Sequence, residues 1–96
     1  MRPSVALNLN RNIIRETAER YHTSNPRVFG SVLHGTDTDT SDLDLLVDAR
    51  PDTTLLDLGG LQQTLEDLLG ISVDVRTPED LPSRFRQAVV NEAKAV

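Results

Sequence analysis

The sequence predicts an α/β (α+β) domain of two layers, with a short mixed sheet of about three strands and helices packed on one face, in the order α-β-β-α-β-α. Three observations predict it. Residues 42–48, "DLDLLVD", alternate between acids and apolar side chains with the period of a strand. Residues 71–76, "ISVDVR", do the same. Between them Leu58, Leu61, Leu65, Leu68 and Leu69 recur at helical spacing. At 96 residues the chain is expected to form one domain, residues 1–96, around a modest core.

The elements follow in order. Residues 8–22, "NLNRNIIRETAERYH", read as a helix, because Ile14, Ala18 and Tyr21 share one face beside Ile13 and Thr17. Asn8 or Asn10 would cap it, and "TSNP" ends the pattern. "RVFGS", residues 27–31, reads as a short strand entering a glycine turn. "SDLDLLVDA" is the second strand, with Leu43, Leu45 and Val47 on one face and Asp42, Asp44, Leu46 and Asp48 on the other. Thr54 and Asp57 form a capping box ahead of the leucine stripe, and Gly70 closes that helix. Gly59 and Gly60 weaken it by about 1 kcal/mol each relative to Ala, which suggests close packing. Residues 71–77 are the third strand. Thr77 and Pro78 then start a helix that Pro82 and Ser83 restart, with Phe85, Ala88, Val89 and Ala93 as its apolar face.

Only three residues are aromatic, so the core must be Leu, Val and Ile. The absence of cysteine excludes disulfides and thiolate metal sites. No stretch approaches the ~20 apolar residues of a membrane span, and no secretory signal is evident, so a cytoplasmic protein without membrane contact is expected. The net charge of −5 argues against non-specific nucleic-acid binding. That charge is uneven. Residues 1–30 hold five Arg against two Glu, residues 31–70 hold nine acids against Arg50 alone, and the remainder balances. Most acidic runs are simply solvated surface, so position along the strand has to decide what this one does.

Asp42 and Asp44 project from one face of a strand, with Cβ atoms roughly 6.5–7 Å apart at about 3.3 Å per residue. That spacing suits one or two divalent cations. If the second and third strands are neighbours, Asp74 joins them on the same patch. All-oxygen ligands point to Mg²⁺ or Mn²⁺ rather than zinc. A lone D-x-D is more often the wet face of a sheet. What changes the balance is Gly30–Ser31 upstream, where a glycine permits close backbone approach and a following helical turn with the Ser31 hydroxyl could hold phosphate.

"GSVLHGTDTDTSDLDLLVD" contains Gly30–Ser31, ten residues, then Asp42-x-Asp44. It resembles the G-S-x10-D-x-D signature of the DNA polymerase β-like nucleotidyltransferase superfamily, with Asp74 in "VDV" similar to its third acid. The chain's size and the stretches "LLDLGGLQQTLEDLLG" and "TPEDLP" resemble the minimal nucleotidyltransferase (MNT) branch. The resemblance implies the superfamily's core fold. It also implies that Asp42, Asp44 and Asp74 hold the metals, two Mg²⁺ ions, and that Asp74 helps to activate the attacking hydroxyl. Gly30 and Ser31 would contact the triphosphate. His34 stands where many relatives carry Arg, in a pattern resembling G-S-x-x-R-G, and could take over that phosphate contact in part. Asp37 and Asp39 are expected to be turn residues in a mobile loop, Asp48 to end its strand, and His22 to lie on the surface.

MNT proteins are often paired with a HEPN protein, an all-helical RNase toxin. The resemblance thus implies an antitoxin that transfers AMP from ATP to a tyrosine of a HEPN partner within a complex. Two alternatives accompany it. One is a weak or inactive module that neutralises the partner by binding alone. The other is nucleotidyl transfer to a small molecule. Polymerisation of nucleic acid ranks below both.

Overall fold

A computed structural model describes residues 1–96. Its centre is a four-stranded sheet: β1 (Thr23–Phe29), β2 (Leu43–Ala49), β3 (Val73–Arg76) and β4 (Lys94–Ala95), in the order β3-β2-β1-β4. β2 runs antiparallel to β1 and parallel to β3, and β4 pairs antiparallel with β1. The sheet is therefore mixed, as expected, with one strand more than the expected three. β4 is two residues long, too short to carry any period, and Val96 beyond it donates its N–H to the Pro26 carbonyl at 2.9 Å.

The expected helix over 8–22 is two helices, α1 (Pro3–Leu9) and α2 (Arg11–Arg20). Asn10 breaks them apart. It leaves helical geometry at φ −131° and ψ 24°, and its Nδ2 turns back to donate to the Ala6 carbonyl at 2.8 Å. It thus occupies the cap position without capping α2 through its side chain. Tyr21 lies just beyond α2, and its hydroxyl meets Thr64 Oγ1 at 2.6 Å. Its ring sits 2.7 Å from where a Cβ on Gly60 would be, so Gly60 is the close-packing glycine; Gly59 has open space around it.

The helix α4 (Leu55–Leu69) has the expected capping box of Thr54 and Asp57 and the Gly70 closure at φ +69°. Leu61, Leu65 and Leu69 are buried, but Leu68 is 53% exposed. They meet Ile14 and Ala18 of α2 and Leu43, Leu45, Val47, Val28 and Val73 of the sheet in one core. Alternation along β2 fills this dry layer with every second residue. β3 is an edge strand, yet its outward N–H groups are taken: Val73 donates to Glu66 Oε2 at 3.1 Å and Val75 to Gln62 Oε1 at 3.0 Å, both from α4.

After β3, "PED" forms a single 3-10 turn (Pro78–Asp80), capped by Thr77 and Asp80, before α5 (Ser83–Glu92). The 3-10 turn packs against β2, and Leu46, on the acid side of β2 by alternation, is completely buried. The expected apolar face of α5 is only partly used, since none of its residues is buried and Phe85 is 42% exposed.

Candidate active site

β1 ends at Phe29 opposite Asp44 of β2, and the chain turns at once into the short helix α3 (Gly30–His34). Gly30 makes that turn at φ +71°, a conformation that L side chains rarely adopt. It also has no room for one: a Cβ there would stand 2.3 Å from Asp44 Oδ2. The backbone of the glycine turn is thus pressed onto the second carboxylate of the D-x-D pair. Ser31 follows as the second residue of α3, half-buried, where the first N–H groups of a helix lack partners within it.

On the other side of Asp44 stands Asp74. β2 and β3 pair in parallel with Asp44 directly opposite Asp74, at the spacing of about 4.8 Å that separates neighbouring strands. The adjacency that the sequence could only suppose is therefore present. Asp42 sits one residue before β2 and is exposed. Its charge reaches Asp44 all the same. The Asp44 carboxyl is pushed up to about 6, first by burial, then by the charges of Asp74 and Asp42, with Arg76 opposing. Two like charges against a half-buried carboxyl are the condition that a divalent cation relieves, and the donors are oxygens throughout, as Mg²⁺ prefers. The side chains do not converge on one point as a finished metal cage. Asp74 Oδ2 is engaged instead by Arg76 Nε at 2.9 Å.

The other acids near the patch lie in different surroundings. Asp37 was expected in a mobile turn, but it is 4% exposed. It accepts the Ser4 backbone N–H at 2.9 Å and Arg2 Nη2 at 3.3 Å, pinning the loop before Asp42 to the start of α1. The Ser4 hydrogen bond holds its carboxyl below the ordinary range. Sequence spacing gave no sign of this, because the partner lies 33 residues away. Asp39 is exposed in the loop. Asp48 near the end of β2 pairs with Arg27, whose side chain is nearly buried, and with Asn25. His22 is exposed and meets Asp57 at 3.2 Å. His34 ends α3 with its Nε2 3.5 Å from Glu92 Oε2 of α5, both side chains about half exposed. Arg76 is the residue that reading for acids and glycines missed, although its place two positions after Asp74 put it on the same face.

Known proteins resemble this chain in sequence and in fold. The family model for the nucleotidyltransferase domain matches residues 11–96. The protein adenylyltransferase MntA of Thermococcus cleftensis is 36% identical over 78 residues, covering 81% of this chain and 79% of that protein. A solved minimal nucleotidyltransferase superposes with a TM-score of 0.83 at 36% identity, over 97% of this chain and 93% of that one. A chain of a toxin–antitoxin crystallised with AMP-PNP superposes with a TM-score of 0.75 at 26% identity, over 90% and 71% of the two chains. The fold agrees with these matches, and the chain belongs to the nucleotidyltransferase-domain family, in its minimal branch.

Proposed function

We propose that this chain transfers AMP from ATP to a protein hydroxyl, a tyrosine of a HEPN toxin partner, and acts as that toxin's antitoxin. The observation that carries the reading is Asp44, wedged between the Gly30 turn and Asp74 in register across β2 and β3. It gains support from the protein adenylyltransferase similar to this chain and from the toxin–antitoxin chain crystallised with a triphosphate analogue.

Each residue then has a task. Asp42, Asp44 and Asp74 would hold Mg²⁺, two ions in the full site. When bound, the metal would supply neutralisation of the negative charge that builds up in the transfer. Gly30 lets the backbone approach the outer phosphates, and Ser31 donates to them through its hydroxyl. Asp74 accepts the proton of the acceptor hydroxyl as its oxygen bonds to the α-phosphorus, and pyrophosphate leaves. His34 adds a phosphate contact through a ring whose Nε2 also faces Glu92.

That last contact favours a second reading, a weakly active module that neutralises its partner by binding, because the side chain at that position already faces an acid. One experiment separates them. The partner protein is incubated with this chain, ATP and Mg²⁺, beside an Asp42/Asp44 double alanine variant, and weighed intact. A gain of one or more AMP units with wild type alone supports transfer. A stable complex that neutralises the toxin without mass gain supports binding.

A further inference from the structure

Arg76 and Asp74 leave β3 on the same side, and the guanidinium meets the carboxylate side-on, Nε to Oδ2 at 2.9 Å. Arg76 has no other acid within ion-pair distance. Its charge is also felt by Asp44, against the repulsion of Asp74 and Asp42. Asp44 itself is governed by burial and charge, with no hydrogen bond among its influences. One acid of the patch is thus fixed by a permanent cation while its neighbour has none. Both members of the pair remain partly open to solvent, 44% and 34% exposed, so an acceptor can reach them.

We propose that Arg76 is a positioning residue for Asp74. It binds one carboxylate oxygen, Oδ2, and so presents the other, Oδ1, to the acceptor hydroxyl. It also supplies an internal counter-charge to Asp74 and, beside it, Asp44. The proposal rests on the nucleotidyl-transfer reading for the role of Asp74, and on the Arg76–Asp74 ion pair for the counter-charge. An exposed ion pair of this kind ordinarily contributes little to stability, so its effect is sought in the chemistry of the patch.

The test uses Arg76→Gln and Arg76→Lys in the full chain. Removing the cation should tighten the binding of Mn²⁺ alone roughly three- to tenfold, as one repulsive charge leaves, counted from free Mn²⁺ by electron paramagnetic resonance. With the HEPN partner and ATP, kcat of Arg76→Gln should fall roughly tenfold at unchanged KM for ATP, the usual scale for losing an orienting partner. Arg76→Lys should restore the Mn²⁺ affinity but only part of kcat, since an ammonium lacks the fixed planar donors. Opposite signs for metal binding and turnover are what misfolding or a bland surface role would not produce. Unchanged Mn²⁺ affinity overturns the counter-charge, unchanged kcat overturns the positioning, and a raised KM for ATP makes Arg76 a phosphate contact instead. If wild type transfers nothing while Arg76→Gln still binds Mn²⁺ more tightly, the transfer reading fails and the counter-charge stands.

Discussion

The two faces of β2 come from seven consecutive residues and meet opposite fates. Leu43, Leu45 and Val47 are 0–1% exposed and lock the strand to α2 and α4. Asp44, between the first two, is half-buried beside two like charges that raise its pKa. One face supplies the stability that lets the other hold an unfavourable arrangement. A strand locked by its dry face, and held on the acid face through buried Leu46, keeps carboxylates closer than they would stand if free to move apart.

The largest expected effect would break the gripping face. Leu45→Ala should lower unfolding free energy by about 3 kcal/mol, from lost transfer and residual cavity, seen as an earlier urea midpoint. Where the two faces meet, Gly30→Ala should cost about 2 kcal/mol, because the left-handed turn is strained for Ala and its methyl falls on Asp44. It should also abolish triphosphate binding by calorimetry, whereas Ser31→Ala should weaken that binding and leave the circular-dichroism spectrum intact.

The acid face sharpens the comparison by a change of sign. Asp44→Asn should abolish transfer yet raise metal-free stability near neutral pH by about 1 kcal/mol, a figure discounted for its solvent exposure. The sign follows from proton uptake. Between the ordinary 3.8 and about 6, the folded protein holds a proton that the unfolded chain has lost, so wild-type stability falls as pH rises through that window. The cost is absent below it and complete above it. Thermal melts without metal from pH 3.5 to 7.5 should show this slope in wild type and lose it in Asp44→Asn. Mg²⁺ should reverse it, since the metal requires the ionised carboxylate. The smallest effect should come from Leu68→Ala, on the same leucine stripe as Leu65 but 53% exposed, with a change within about 0.5 kcal/mol.

That leucine stripe shows how far the sequence could be read. Period identified α4 and the dry side of β2, because burial imposes period. It could not tell Leu68 from Leu65, since both suit the pattern. Glycine and D-x-D spacing marked Gly30, Ser31, Asp42 and Asp44, but bringing in Asp74 required strand neighbours that only topology supplies. The break at Asn10, the clamp of Asp37 on Ser4 and the two-residue β4 left no local trace. Each depends on a partner or a bend rather than on a repeat. Arg76 was visible on the right face, yet nothing short of the 2.9 Å contact marked it as more than an exposed strand residue.

The side chains of Gln62 and Glu66 along β3 carry a consequence for self-association. An edge strand presents a row of unpaired backbone groups on which a second copy of a protein can pair. By occupying the N–H groups of Val73 and Val75, α4 removes the donors that a neighbour's strand would use there. Asp74 can therefore sit at the margin of the sheet, open to an incoming molecule, without making that margin sticky.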